Sequence, residues 1–177
     1  MERFRIDGDS GRSYEIRVEE ATGLTEELVR VLLDIDLQTF SESTFSAYTA
    51  AAFIQNQKVF LLRADEGVIG TCVLMRCWDR PNEAMVLSMG IRPGWRGRGL
   101  GQQFLFGVLE RVRELQMDAV SLMVGADNRR AIRVYTDVGF EIKDTAMEDS
   151  RTGEVFVLMR CALPSVVGRA PAAARLA

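Results

Sequence analysis

The stretch from Met89 to Gly101 limits what this chain can fold into more than any other part of it. An apolar run leads into the stretch, an amphipathic run follows it, and Gly97, Gly99 and Gly101 fall within five residues. One glycine usually suffices for a tight turn, so three at this spacing exceed what a connection between a strand and a helix needs. The pattern predicts a strand, a glycine-rich loop and a helix in direct succession.

The chemistry of this loop favours an anion. Glycine lets the backbone approach a ligand closely, and free N–H groups at the start of a helix attract negative charge. Arg96 and Arg98 add two guanidinium groups, which can bind phosphate oxygens in a bidentate fork. A phosphate-binding loop is therefore predicted, and a tight turn without a ligand is the weaker interpretation.

Two common phosphate-binding patterns do not match the loop. The dinucleotide fingerprint needs G-x-G-x-x-G, whereas the spacing here is G-x-G-x-G. The loop of nucleotide hydrolases needs a Lys followed by Ser or Thr, and the only lysines are Lys58 and Lys143. The remaining match is R-x-x-G-x-G, formed by Arg96, Gly99 and Gly101. It resembles the coenzyme A pyrophosphate signature of the GNAT superfamily of N-acetyltransferases.

A second stretch is similar to the same family. It begins at Asn128, about thirty residues after the loop, and includes Tyr135 and the pair Gly139-Phe140. The two motifs stand in the family's order and separation, and the resemblance extends over roughly residues 59–160. The more N-terminal part is similar only in the layout of its predicted elements.

The order of predicted elements is typical of an α/β fold. A strand or hairpin and two helices precede three antiparallel strands, and the loop, a helix, a parallel strand, a helix and a closing hairpin follow. We expect one GNAT-like domain over residues 1–161 and a mobile extension over residues 162–177, which lack core periodicity. The resemblance implies a mixed sheet of about seven strands with flanking helices. It also implies a V-shaped splay between the fourth and fifth strands, at residues 83–91 and 119–124.

The resemblance implies acetyl-CoA as co-substrate, bound where those two strands splay apart. A bulge near Met89-Gly90 is implied to open the cleft, so that the backbone of Met89 and Ile91 can pair with the pantetheine amides. The loop takes the pyrophosphate, and Asn128 bonds to the pantetheine arm, with helix capping as its alternative or additional role. The cofactor-binding residues expected in this way are Met89, Gly90, Ile91, Arg96, Gly97, Arg98, Gly99, Leu100, Gly101 and Asn128.

The composition limits the groups available for catalysis. The chain has no histidine, which excludes Ser-His and Cys-His nucleophiles of the usual kind. Its three cysteines have no close C-x-x-C pair, so neither a disulfide framework nor a metal site is expected. An alkylammonium with a pKa of about 10.4 is almost fully charged at neutral pH, so a general base would help an amine to attack a thioester.

Glu83 and Tyr135 are the predicted catalytic residues. Glu83 opens the strand that leads to the acetyl site and is the first candidate for the base, with a solvated hairpin residue as the alternative interpretation. Asp79 and Glu42 are weaker candidates for the base. Tyr135 matches the family position of the tyrosine that gives a proton to the departing thiolate, with a core aromatic as the alternative.

These residues together predict an N-acetyltransferase that acts by direct transfer in a ternary complex. The acceptor is a primary amine of a small molecule or a protein, and residues 36–56 with the closing hairpin are expected to set its specificity. A non-catalytic module that binds acyl-CoA as a sensor or interaction partner is the alternative. Residues 91–133 carry eight Arg against four acids, a balance of +4 within a chain of net charge −3. This split suits a polyphosphate beside a cationic acceptor.

The remaining expectations concern location and partners. No run of 18 apolar residues occurs, and the N-terminal residues lack the apolar core of a signal peptide. A cytoplasmic protein without a membrane partner is expected. Nucleic acid is not expected as a partner, because no basic acceptor face is visible. The oligomeric state stays open between a monomer and a homodimer.

Overall fold

A mixed sheet flanked by helices is the framework of residues 2–7, 13–40, 45–65, 67–150 and 152–164, which the computed structural model describes. The strands are β1 (Glu2–Asp7), β2 (Ser13–Glu20), β3 (Lys58–Ala64), β4 (Gly67–Arg76), β5 (Glu83–Ile91), β6 (Ala119–Gly125), β7 (Glu141–Glu148) and β8 (Val155–Ala162). The helices are α1 (Glu26–Phe40), α2 (Ala47–Asn56), α3 (Leu100–Glu114) and α4 (Arg129–Val138). The predicted α/β class is confirmed, and the N-terminal hairpin brings the sheet to eight strands in the order β1-β2-β3-β4-β5-β6-β8-β7.

The pair β5 and β6 breaks the antiparallel pattern of the sheet. These two strands run parallel because α3 connects them, whereas every other neighbouring pair is antiparallel. Their pairing covers only residues 83–86 of β5 and 119–122 of β6. Residues 87–91 and 123–125 have no partner on each other's strand, so β5 and β6 separate toward their carboxyl ends. The predicted splay is confirmed at this position.

A bulge on β5 marks the point where the separation begins. Val86 and Ser88 pair with consecutive residues of β4, so Leu87 is the extra residue. The bulge therefore lies at Leu87, two residues before the predicted Met89-Gly90. Because side chains alternate along a strand, the extra residue also resets which side chains face which side of the sheet.

The helices cover the two faces of the sheet. The spacing of the apolar residues in α3 places Phe104, Leu105 and Val108 on the sheet, each fully buried in the larger core together with residues of α4. Burying one such side chain contributes about 1.5 to 3 kcal/mol. On the other face, Leu32 of α1 and Ala50 of α2 form a second core with β3 and β4. No helix in the described ranges is long and apolar enough to cross a membrane.

Helix α1 crosses β5 in very close contact at Gly90. A Cβ added at Gly90 would overlap the hydroxyl oxygen of Thr39 and lie 3.1 Å from Cγ2 of Ile35. A Cβ at the neighbouring Gly70 of β4 would lie 2.9 Å from the Gly90 carbonyl oxygen. The lack of a side chain at Gly90 is therefore explained by the packing of α1 onto the strand.

The carboxyl end of the packed region lies slightly beyond residue 161. Strand β8 continues to Ala162, and Leu163 is 3% exposed, with its N–H bonded to the Asp118 carbonyl at 2.8 Å. The core thus includes the first residues of the predicted extension. Residues 165–177 of that extension lie outside the described residues, so its predicted mobility stays a prediction.

Candidate functional site

The glycine loop joins β5 to α3 through two residues in the left-handed region. A 3₁₀ turn over Pro93–Trp95 is followed by Gly97 at φ +83° and by Gly99 at φ +72°. A Cβ added at either glycine would meet nothing within 4 Å. Their identity follows from the backbone conformation, which L side chains rarely adopt, and not from crowding. The space above the loop is open.

The start of α3 presents hydrogen-bond donors to that open space. Gly99 is the N-cap, no side chain caps the helix, and its first turn contains no acidic residue. Among the described residues, the N–H groups of Leu100, Gly101 and Gln102 donate to no backbone carbonyl, whereas Gln103 donates to Gly99. Unpaired N–H groups at the positive end of a helix dipole form an anion site.

The two arginines of the loop have different surroundings. The guanidinium carbon of Arg98 lies 5.5 Å from the ring centroid of Trp95, which itself packs edge-to-face on Tyr14 at 4.9 Å. Arg96 instead donates from Nε to the Ile91 carbonyl at 2.7 Å and from Nη2 to the Gln38 carbonyl at 2.9 Å. Its backbone N–H also bonds to the Pro93 carbonyl, at 3.2 Å. These three bonds of Arg96 are all to the protein, and its role as a phosphate ligand stays a prediction.

Arg92 is a residue of this region that the sequence did not single out. It forms an ion pair with Asp34, and its Nη1 donates to the Gln38 side-chain oxygen at 3.3 Å. Its Nε donates to the Val68 carbonyl at 3.0 Å. The available signal was the spacing of Asp34 and Gln38, which places both on one side of α1.

The open end of β5 directs backbone groups into the gap beside β6. The N–H of Arg92 donates to the Ile69 carbonyl of β4 at 2.9 Å, which sets the alternation along the antiparallel pair. Gly90 therefore turns its N–H and C=O toward β4, whereas Met89 and Ile91 turn theirs toward the gap. Arg96 donates to the Ile91 carbonyl, so the N–H and C=O of Met89 and the N–H of Ile91 face the gap. The binding of pantetheine by Met89 and Ile91 stays a prediction.

Tyr135 lies on α4 over the same part of the sheet. Its half-buried ring packs on the larger core, with its centroid 6.0 Å from that of Phe140. Burial, and to a smaller extent the electrostatic effect of Cys72, raises the pKa of Tyr135 to about 12. Cys72 lies opposite Met89 in the pairing of β4 with β5. Because Cys72 acts electrostatically on Tyr135, Tyr135 lies close to the open end of β5. The phenol is protonated at neutral pH, as a proton donor must be.

Asn128 caps α4 at the carboxyl end of β6. Its side-chain oxygen accepts from the Ala131 N–H at 3.1 Å. The predicted capping role is confirmed, and the amide nitrogen keeps two N–H donors that the cap does not use. The bond from Asn128 to the pantetheine arm stays a prediction.

Glu83 lies at the opposite end of β5 from the glycine loop. Its Oε1 accepts from Nη2 of Arg160 at 2.7 Å, and its Oε2 lies 2.9 Å from Nε of Arg80. The hydrogen bond from Arg160 is the main cause that lowers the pKa of this carboxyl, opposed by its burial. A carboxylate with a lowered pKa is a weaker base, so these contacts are unfavourable for Glu83 as the general base. Its role as the base stays a prediction. Asp79 is exposed, and Glu42 lies outside the described residues.

Most of these elements lie in a region that matches a known family of proteins. The model of the "Acetyltransferase (GNAT) family" matches residues 25–140, which is more than half of the chain. The chain belongs to this family. The match contains the bulge, the glycine loop, Asn128 and Tyr135.

Individual relatives of this GNAT chain are similar over shorter stretches. The mycothiol acetyltransferase of Sanguibacter keddieii is 29% identical over 104 residues, which is 56% of this chain and 33% of that protein. The mycothiol acetyltransferase of Corynebacterium aurimucosum is 39% identical over 66 residues, or 37% of this chain and 22% of that protein. The GNAT chain thus spans a third or less of the length of these two curated relatives.

Solved structures resemble the GNAT chain over most of its length. The ribosomal-protein-S18-alanine N-acetyltransferase of Escherichia coli superposes with a TM-score of 0.73 at 17% identity, covering 87% of this chain and 97% of that one. A GNAT family acetyltransferase of Elizabethkingia anophelis with acetyl-CoA bound gives a TM-score of 0.68 at 18% identity, covering 84% and 98%. At these identities the likeness establishes the fold, and the splayed sheet belongs to it.

Proposed function

We propose that this chain transfers the acetyl group of acetyl-CoA to a primary amine of a small molecule or a protein, by direct attack in a ternary complex. Membership of the acetyltransferase family supports acetyl transfer. The observation that carries the proposal is a row of backbone N–H groups without acceptors. Its first part lies at the open end of β5 and its second part in the first turn of α3, whereas the N–H groups of Arg92, Trp95 and Arg96 between them have backbone acceptors.

This row suits the length and chemistry of acetyl-CoA. The N–H groups at the start of α3 suit the pyrophosphate, with the guanidinium of Arg98 beside them. The N–H and C=O of Met89 and the N–H of Ile91 suit the amides of the pantetheine arm, which would add to β5 as a further strand. The thioester then lies near Leu87, where the bulge separates β5 from β6.

Tyr135 is the proposed general acid. Loss of the thiolate from the tetrahedral intermediate is easier when the sulfur receives a proton as the C–S bond breaks. The raised pKa of Tyr135 keeps it protonated at neutral pH, but it also makes the phenol a weaker acid than a thiol, whose ordinary pKa is about 8.5. It therefore favours a hydrogen bond from the phenol to the departing sulfur over full transfer of the proton.

The acceptor amine must lose a proton before or during the attack. An alkylamine with a pKa of about 10.4 is neutral for roughly one molecule in two thousand at pH 7, so a base increases the rate. Glu83 remains the predicted base, acting through water. Because its carboxylate is paired with Arg160 and Arg80, a chain of water molecules without a dedicated carboxylate is the competing proposal.

A thiol-release assay across a panel of amines tests the function. The panel contains polyamines, amino sugars, free amino acids and peptides with a free N-terminal residue, because the two acceptors in the names of similar proteins differ widely. We expect stoichiometric CoA release and an acetylated product, identified by mass spectrometry, for at least one class. Tight binding of acetyl-CoA without thiol release on any amine would favour the sensor module instead.

A further inference from the structure

Arg96 is the arginine of the R-x-x-G-x-G motif, yet its side chain is directed at the protein. Its two donors reach the Ile91 carbonyl at 2.7 Å and the Gln38 carbonyl at 2.9 Å. The first bond holds the base of the glycine loop to the end of β5. The second bond crosses to α1, 58 residues earlier in the chain. Arg96 thus joins the loop to a helix on the opposite face of the sheet from α3.

The Gln38 carbonyl belongs to the last turn of α1. The last carbonyls of a helix have no partner within it, and a cation near them is favourable. Helix α1 has no basic residue in its last turn. Arg96 supplies a cation and a donor from the loop, and so acts as a C-terminal cap that is remote in sequence.

A second arginine strengthens the same connection. Arg92 pairs with Asp34 and donates to the Gln38 side chain, while Gln38 in turn donates to Asp34 at 2.9 Å. These bonds involve two consecutive turns of α1. The end of α1 is therefore held to both sides of the loop's 3₁₀ turn, before it by Arg92 and after it by Arg96.

The end of α1 is in turn linked to the rest of its face of the sheet. Thr39 contacts β5 at Gly90, and Leu32 packs with Ala50 of α2 in one core. We therefore expect a change in the order of the last turn of α1 to alter its packing on β5 and, along the helix, its packing on α2. The glycine loop, by contrast, has open space around Gly97 and Gly99, so an anion can reach its backbone there.

We propose that Arg96 is a positioning residue that couples occupancy of the glycine loop to the order of α1. An anion on the loop orders the backbone that carries Arg96, and the guanidinium then holds the last turn of α1 more firmly. The coupling is reciprocal, so a better ordered α1 also favours the bound anion. The inference rests on the proposed function in taking the pyrophosphate of CoA as that anion.

Hydrogen–deuterium exchange with and without CoA tests the coupling. In the wild type, saturating CoA should slow exchange of the amides in residues 33–40 by about fivefold or more, the lower end of usual coupling factors. In Arg96→Ala at saturating CoA, that slowing should be lost while the loop and α3 remain protected. Arg96→Lys keeps the cation near Gln38 but can make fewer bonds, so it should restore part of the slowing.

Arg98→Ala is the matched control, because it removes the same charge from the same loop. It should weaken CoA binding in calorimetry and leave the slowing of residues 33–40 intact once CoA is saturating. Equal slowing in Arg96→Ala and wild type would overturn the coupling. So would an Arg96→Ala variant that loses CoA affinity as Arg98→Ala does and keeps full protection of α1, since Arg96 would then be a phosphate ligand.

The same experiment separates the coupling from the proposed function. If the wild type binds no CoA, the proposed function fails, and with it the coupling. The capping role is still judged from the proteins without CoA, where residues 33–40 should exchange faster in Arg96→Ala than in wild type. Equal exchange there would overturn the capping role even if CoA binds.

Discussion

The two ends of strand β5 differ in how their polar groups are satisfied. At the amino end, residues 84–86 pair with β4 on one side and residues 83–86 pair with β6 on the other, and Glu83 forms ion pairs with Arg160 and Arg80. At the carboxyl end, residues 88–91 pair with β4 alone. The glycine loop that follows has donors without acceptors.

This difference separates stabilisation from binding within one strand. Unpaired backbone groups beside a packed core reduce stability unless water or a ligand satisfies them, so a fold keeps them where they serve a purpose. The bulge at Leu87 is the boundary, since it ends the pairing with β6. We expect changes before the bulge to alter mainly stability, and changes after it to alter mainly binding and catalysis.

The largest effect is expected at Gly99. The Gly99→Glu variant places a carboxylate and a side chain where the pyrophosphate is proposed to lie, and it should lower acetyl-CoA affinity by at least about 10³-fold, with calorimetry as the measurement. Gly23→Glu is the matched control, because Gly23 has φ +73° against +72° for Gly99 and both have open surroundings. Both variants carry the same backbone strain, and only Gly99→Glu should lose binding. Wild-type affinity in a folded Gly99→Glu protein would remove the loop from the site.

Tyr135→Phe should produce the largest effect on the chemical step. The substitution keeps the ring in the core and removes the hydroxyl, so kcat should fall by roughly 10²–10⁴-fold, the usual span for a general acid. The affinity for acetyl-CoA should change little. Steady-state kinetics with the best amine from the panel, together with pre-steady-state bursts, would check this. An unchanged kcat with chemistry rate-limiting would leave Tyr135 a packing residue.

Gly90→Ala tests an exception to the comparison, since Gly90 lies after the bulge but serves packing. The added methyl group overlaps the Thr39 hydroxyl, and overpacking of this kind costs about 1 to 3 kcal/mol. For a chain of this size, that corresponds to a fall in Tm of roughly 2–12 °C. Thermal unfolding of Gly90→Ala with and without Thr39→Ala is the measurement. Failure of Thr39→Ala to recover any of the loss would contradict the assigned contact.

Glu83→Gln should have the smallest effect and the clearest pH dependence. Loss of the hydrogen bond from Arg160 and of the ion pair with Arg80 should lower the free energy of unfolding by about 1 to 2 kcal/mol, less than for a fully buried pair because both arginines are partly exposed. The folded protein lowers the pKa of Glu83, so the wild-type advantage is present at neutral pH and disappears as pH falls through that lowered value. Denaturant unfolding across acidic pH measures it.

The same variant decides whether Glu83 is also the base. Loss of kcat/KM near neutral pH that recovers as the amine deprotonates at higher pH would support the base. A uniform loss would indicate that Glu83 only binds the ammonium. An unchanged kcat/KM together with a loss of stability would show that Glu83 stabilises the fold and takes no part in catalysis.

Local patterns in the sequence determined most of the fold and part of the site. The alternation and length of the apolar runs predicted β5 at residues 83–91 and placed β6 within one residue of its observed bounds. Asn128 was readable as a cap because an N-cap bonds only three residues ahead. The glycine spacing indicated the loop, because positive φ and open donors are properties of the local backbone.

Only the tertiary structure decided which partners the charged residues take. Arg96 bonds to Gln38 across 58 residues of sequence, and Glu83 accepts from Arg160 across 77. Gly90 is small because α1 crosses there, and no feature near Gly90 in the sequence specifies that crossing. Periodicity and caps act over a few residues and are visible in the chain itself. The choice of a distant partner depends on how helices and strands cross, which follows from packing of the whole core.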